Sequence, residues 1–295
     1  MKVCAVINQK GGVGKTTTVA NLGAVIASRG HATCLIDLDP QANLTLHFGI
    51  EPETSSASMY GVMMDQASLG SAAMMVAAHL WVVPSVVDLA AAEVELVSTV
   101  GREQILRDRL KAAGLPYEFV LIDCPPSLGL LTLNALAAAD EVLIPLQPHF
   151  LALQGLSKLL ETISLVQQRI NPPLRVAGVV FCMYETATRL ASEVEADLRG
   201  FMDSMRDTGT PWAQARIFER RIRRNVKLAE CPSHGKTIFD YDPHSHGAAD
   251  YLALADEFLA ATGAPPHREP PLAADDKPAR RLPVSGNQPV IPDVS

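Results

Sequence analysis

The sequence has no clustered cysteines. Its five, Cys4, Cys34, Cys124, Cys182 and Cys231, are odd in number, scattered over 295 residues and never in C-x-x-C spacing. Such a pattern builds neither a disulfide framework nor a thiolate zinc site, and a reducing cytoplasm is the expected compartment. Long apolar runs are also missing. Residues 3–7 are far too few for a signal-peptide core, and the run 128–139 is interrupted by Thr132 and Asn134, so no segment is expected to span a bilayer. Charge of one sign is in small excess, with 25 Lys and Arg against 32 Asp and Glu, a formal net charge of −7. That mild acidity disfavours wholesale coating of nucleic acid while leaving room for a local basic patch. There is no internal repeat.

What is present is an alternation. Short apolar runs rich in β-branched residues, at 3–7, 33–36, 80–83, 119–122, 141–144 and 176–181, are separated by helical patterns at 16–29, 93–113, 151–170 and 190–205. This predicts an α/β fold: a doubly wound, mostly parallel sheet with helices on both faces and ligands at the carboxyl ends of its strands. The folded domain is expected over residues 1–263. From residue 264 the composition shifts to eight prolines with few bulky apolar residues. Residues 264–295 therefore read as a disordered tail, either a solvated linker or a carrier of a short partner motif. The tail has no basic amphipathic pattern, so no membrane anchor is expected.

Three segments at predicted strand ends carry chemistry. The first is "NQKGGVGKTTT", residues 8–18. Gly11, Gly12, Val13 and Gly14 form a loop whose backbone N–H groups can approach phosphate oxygens, and a helix begins behind it. Lys15 is expected on the β- and γ-phosphates, the Thr16 hydroxyl on Mg²⁺ and Thr17 on the α-phosphate. The strict pattern G-x-x-x-x-G-K-[ST] fails at its first glycine, which is Gln9, and a second lysine, Lys10, follows. On the residues alone, Lys10 serves either the phosphates of its own subunit or those of another.

The second segment, "CLIDLDPQAN", ends a strand with Asp37 and Asp39 two residues apart, before Pro40. Period-two geometry sends both carboxylates the same way, as a metal-shell or water-positioning pair, unless they form a plain solvated turn. The third, "FVLIDCPPSLGLLTLNAL", places Asp123 at the end of an apolar strand, where it would hold Mg²⁺ through a water. The loop at 127–129 that follows is suited to sense a γ-phosphate.

These segments, with "PLQPHFLALQGLSKLLETI", resemble the ParA/Soj family of partition ATPases, within the MinD and nitrogenase-iron-protein group of P-loop proteins. The likeness runs from about residue 3 to 261. It implies ATP and Mg²⁺ as cofactors and a deviant Walker A motif. In that motif Lys10 crosses the interface of an ATP-sandwich homodimer to the partner's phosphates. It also implies that Asp39 positions the attacking water and that Asp37 is a magnesium-shell or structural carboxylate.

One stretch is strongly basic. In "RIFERRIRRNVKLAECPSHGK" six cations, Arg216, Arg220, Arg221, Arg223, Arg224 and Lys227, accompany Glu219 at its centre. It reads either as a solvated face or a set of salt-bridge partners for the surplus acid, or as a surface that grips DNA phosphates without reading sequence. Its apolar positions Ile217, Phe218 and Ile222 predict a final strand, followed by a turn and a short helix. The segment 222–228 resembles the family motif I-P-R-N-V-R-L. The resemblance puts Arg223, standing where the family has proline, and Asn225 by the adenine, and Arg224 on DNA. Relatives often carry a DNA-binding arginine where this chain has Ala187, and Arg189 lies two residues on.

The resemblance implies a nucleoid-associated cytoplasmic ATPase. It would bind double-stranded DNA non-specifically and segregate chromosome or plasmid DNA, with slow hydrolysis stimulated by a ParB-like partner. The alternatives are a positioning ATPase for a chemoreceptor array, carboxysome or cellulose-synthesis machinery, or a MinD-like membrane-associated regulator. Cys124 and Cys182 lack the context of a cluster-bridging pair and are expected to be buried small residues.

Overall fold

The structure is a computed structural model, described for residues 1–52, 57–149, 152–185, 188–206 and 208–264. The tail from 265 onward, and Ala187, lie outside the described residues.

The chain enters the sheet at β1 (Lys2–Val6), passes through the glycine loop into α1 (Lys15–Ser28), and returns as β2 (Thr33–Asp37). A helical excursion follows, α2 (Asn43–His47), α3 (Met59–Met63) and α4 (Leu69–Ala72), before the hairpin of β3 (Met74–Ala77) and β4 (Leu80–Val83). Next come α5 (Leu89–Glu95), α6 (Ile105–Ala113), β5 (Phe119–Asp123), α7 (Leu130–Ala138), β6 (Glu141–Leu146), α8 (Ala152–Arg169), β7 (Arg175–Tyr184) and α9 (Arg189–Ser204). The last part holds two very short strands, β8 (Arg216–Ile217) and β9 (Ile222–Arg223), then α10 (Val226–Glu230), α11 (Ile238–Tyr241) and the long α12 (His246–Thr262).

The sheet order is β3-β4-β2-β5-β1-β6-β7-β8, with β9 also on β7. Every described pairing is parallel except the β3–β4 hairpin. Alternation along β1 shows why its run is apolar throughout. Val3 and Ala5 join a core with residues of α5 to α9, whereas Cys4 and Val6 join a core with α1 and α12. A strand buried on both faces needs hydrophobic residues at consecutive positions. The expected helix-covered parallel sheet is what forms.

Two expectations need correction, and one strand was missed. The helical pattern at 93–113 is not one helix: α5 gives way to a 3-10 turn at Leu96–Ser98, and a second 3-10 turn at Arg102–Gln104 leads into α6. Gly101, at φ 74°, makes the break between them. The single strand expected around Ile217 to Ile222 is two separate pairings on β7, because Phe218 turns inward and is fully buried. The antiparallel edge strand β3 was not anticipated; its Met74 and Met75 are exposed and carry no alternating pattern.

Candidate nucleotide site

β1 delivers the glycine loop to the carboxyl edge of the sheet, and α1 starts immediately behind it. The residue before α1 is Gly14, at φ 94°, a left-handed conformation that lets the loop turn into the helix without a Cβ clash. It offers no side chain to cap the helix, so the first N–H groups of α1 stay available to a ligand. A Cβ built on Gly11 or Gly12 would meet nothing within 4 Å, so open space lies over the loop.

That space is part of a cavity of about 930 Å³. Gly11, Gly12, Gly14, Lys15, Thr16 and Thr17 line it on one side, and Asp39 lies beside them. Arg223, Arg224 and Asn225 line it on another. Val13 and Lys10 do not. Both line a separate cavity of about 460 Å³, with Gln147, His149, Gln154 and Lys158 among its other walls. Val13 is a buried core residue, whereas the Lys10 side chain is exposed.

Two carboxylates lie under the loop on adjacent parallel strands, with Asp37 in register with Asp123. The Thr16 hydroxyl donates to Asp123 Oδ2 at 2.6 Å, while Asp123 Oδ1 is buried with no hydrogen-bond partner. Burial, and then the charge of Asp37, push the Asp123 carboxyl well above the usual carboxylate range. Lys15, whose ammonium donates to the Lys10 carbonyl at 3.3 Å, has its pKa lowered by burial despite nearby Asp123 and Asp39. A buried, unpartnered carboxylate oxygen beside a threonine hydroxyl is an oxygen donor set that fits Mg²⁺. The loop backbone and Lys15 fit phosphate oxygens.

Asp37 and Asp39 part company, contrary to the common direction expected for them. Strand β2 stops at Asp37, and Asp39 belongs to the turn beyond it. Asp37 is fully buried, and both its oxygens are engaged: one accepts from the Thr45 amide at 2.8 Å and the Thr45 hydroxyl at 2.6 Å, the other from the Asp39 amide at 3.2 Å. These bonds fix the turn that presents Asp39 and the start of α2. Asp37 holds this turn together, whereas Asp39 faces the cavity, its Oδ1 accepting from the Gln41 amide at 3.0 Å.

The basic stretch looks different in three dimensions, because acids remote in sequence answer three of its six cations, Arg221, Arg223 and Arg224. Arg221 makes a two-point contact with Glu195, at 2.7 and 3.0 Å, and lies over the Tyr184 ring. Arg223 does the same with Asp250, at 2.7 and 3.0 Å. Arg224 pairs with Glu185, Lys227 with Glu230 and Arg189 with Glu193. Asn225 is a helix cap, its Oδ1 accepting from the Lys227 amide at 2.8 Å. Arg220 and Arg216 are exposed and pair with no carboxylate among the described residues. Their neighbourhood is held from α12: Glu257 accepts from the Glu219 and Arg220 amides, both at 2.8 Å. Arg221 and Arg223 thus serve mainly to anchor this surface, while Arg220, Arg224 and Arg189 present charge to solvent.

Sequence reasoning missed several residues at the site. Tyr251 of α12 reaches under the loop, its hydroxyl 3.2 Å from that of Thr18. Met183 lines the cavity at φ 49°, where the pairing of β7 with β9 shifts register. Glu93 of α5 accepts from the Leu131 amide at the start of α7, steadying the loop after Asp123. Asp250, the buried acid of α12, answers Arg223, and nothing local in the sequence sets it apart from Asp256 and Glu257 of the same helix, neither of them buried.

A parallel sheet with a glycine loop between β1 and α1, and an Asp at the end of a neighbouring strand, defines a P-loop nucleotide-binding protein. A family model described as "AAA domain" matches residues 1–176. The sporulation initiation inhibitor protein Soj of Bacillus subtilis is 44% identical over 263 residues, 89% of this chain and 99% of that one. The chromosome partitioning protein ParA of Myxococcus xanthus is 43% identical, over 88% of each chain. Among solved structures, one described as cobyrinic acid a,c-diamide synthase from Mycobacterium smegmatis, with bound ATP analogue and magnesium, superposes with a TM-score of 0.75 at 34% identity, covering 92% of this chain and all of the other. The chain belongs to the ParA/Soj family of chromosome-partitioning proteins.

Proposed function

We propose that this protein is a partition ATPase that binds MgATP in the larger cavity and becomes active when two copies close on their nucleotides. ATP and Mg²⁺ as its ligands are supported by the open glycine loop, by the unpartnered Asp123 oxygen and by the ATP analogue and magnesium of the 34% identical structure. When bound, the metal would neutralise phosphate charge. Thr16 and, through water, Asp123 would hold it, Lys15 would neutralise the terminal phosphates, and Asp39 would orient the attacking water.

One observation carries the dimer reading. Two lysines five residues apart in one loop face different cavities, Lys15 the nucleotide's and Lys10 another. A lysine turned from its own nucleotide pocket can serve a nucleotide brought by a second subunit, which makes association depend on ATP. The exposed arginines Arg220, Arg224 and Arg189 would then hold DNA phosphates without sequence preference, and a ParB-like partner would stimulate hydrolysis and release. Among the described residues no helix is long and apolar enough to cross a membrane. The test is sedimentation with a non-hydrolysable ATP analogue: wild type should dimerise, and Lys10→Ala should bind the analogue and stay monomeric. A Lys10→Ala protein that dimerises normally would refute the reading.

A further inference from the structure

Among the described residues four other than glycine have a positive φ: Ala42 at 54°, Asp65 at 63°, His79 at 59° and Met183 at 49°. Aspartate and histidine are enriched in that left-handed region, whereas the Cβ of alanine crowds the following carbonyl there. Ala42 is also the only buried one of the four, and it stands three residues after Asp39. Its amide donates to the Asp39 carbonyl at 2.9 Å, closing the turn that presents the Asp39 carboxylate. Its own carbonyl accepts from the Leu46 amide at 2.9 Å and opens α2. One left-handed residue therefore joins the turn to the helix.

The chain is pinned on both sides of this strain. Upstream, the Leu38 amide donates to the Asp123 carbonyl at 3.0 Å, which ties the entry of the turn to the neighbouring strand. Downstream, Leu44 is fully buried in the core with α1, and Thr45 is bound to Asp37 by both amide and hydroxyl. The Thr45 hydroxyl oxygen also accepts from the Ser85 amide at 2.8 Å. Beyond α2, Gly49 lies against Gly235 so closely that a Cβ on Gly235 would come within 2.9 Å of the Gly49 Cα. A strained residue persists where its surroundings over-determine it, and what these surroundings hold in place is Asp39. We infer that Ala42 is a positioning residue for hydrolysis. Its left-handed strain opposes the Asp39 turn and so limits the fraction of molecules in which Asp39 is set for the attacking water. The inference rests on the role of Asp39 proposed above and adds the residue that sets how often Asp39 is ready.

Ala42→Gly tests it, since it removes the crowding and leaves both backbone hydrogen bonds possible. In single-turnover measurements at saturating MgATP the variant should hydrolyse about five- to tenfold faster than wild type, the population change that such a steric penalty represents. Its affinity for a fluorescent ATP analogue should stay within about twofold, because the loop and Lys15 are untouched. In the nucleotide-free variant the Leu46 amide should exchange its hydrogen several-fold more slowly, because the turn behind it is formed more of the time. The lost methyl and the greater freedom of the unfolded chain offset the relief in global stability, so rate and exchange are the readouts. An unchanged or lower hydrolysis rate overturns the inference. So does faster exchange at Leu46, which would assign the effect to added backbone freedom instead of relieved strain. Asp39→Ala combined with Ala42→Gly should be as slow as Asp39→Ala alone. A double variant that keeps the gain would overturn the role of Asp39 itself, whereas a slow Asp39→Ala beside an Ala42→Gly without gain overturns the inference alone.

Discussion

Asp37→Asn is the substitution whose effect is most directly calculable. Burial lifts the Asp37 carboxyl from an ordinary 3.8 to about 7, against the hydrogen bonds from Thr45 and Asp39 that favour its charged form. The folded protein therefore keeps a proton between pH 4 and 7 that the unfolded chain has already released. Stability conferred by that proton is present at low pH and is lost as pH rises toward 7, by roughly 4 kcal/mol in all. Asparagine keeps the volume and an acceptor for Thr45, and it forfeits the 3.2 Å bond from the Asp39 amide, a pH-independent cost of about 1 kcal/mol. It also removes a charge that raises neighbouring Asp123, which pushes the difference in the same direction. Urea unfolding of the nucleotide-free protein from pH 4 to 8 should then show wild type losing about 4 kcal/mol relative to Asp37→Asn as pH rises, with the variant the more stable above pH 7. Two parallel stability curves would refute the buried-carboxylate argument.

Two further outcomes are expected. Asp39→Ala should bind MgATP and dimerise but hydrolyse at least a hundredfold more slowly, accumulating on DNA; rapid turnover in a phosphate-release assay would count against its role with the attacking water. Arg220→Glu should weaken binding to random duplex and flatten its salt dependence, since Arg220 is exposed and pairs with no carboxylate among the described residues. Arg221→Ala should instead cost about 2 kcal/mol of fold stability by removing the two-point partner of the nearly buried Glu195, which among the described residues keeps only Arg199 and the Tyr184 hydroxyl. Equal effects of the two on DNA affinity, with no difference in unfolding, would contradict this division of labour.

How much was legible beforehand depends on the range of the interactions. The loop, its helix and Asp123 were readable because strand, glycines, lysine and threonine are local signals that agree. The divergent directions of Asp37 and Asp39 were not, because Thr45 lies eight residues beyond Asp37 and decides which oxygens are engaged. The basic stretch was legible in kind and not in detail: salt-bridge partners among the surplus acid were one reading of it, while Glu195 and Asp250, 26 and 27 residues from the arginines they bind, arrive only through folding. The break at Gly101 was visible as a glycine but not as a left-handed residue, since the helical period continues on both sides of it.

The central claim is that each chain carries a nucleotide site lacking a cation that only another copy supplies. It is tested most directly by mixing two variants that fail for different reasons. Lys15→Ala should lose its own nucleotide but keep Lys10; Lys10→Ala should keep its nucleotide but have no lysine to offer. Labelled with different fluorophores and given a non-hydrolysable ATP analogue, neither should associate with itself. An equimolar mixture should show energy transfer between the labels, because one composite site is complete. No transfer in the mixture, or self-association of Lys10→Ala, would contradict the account.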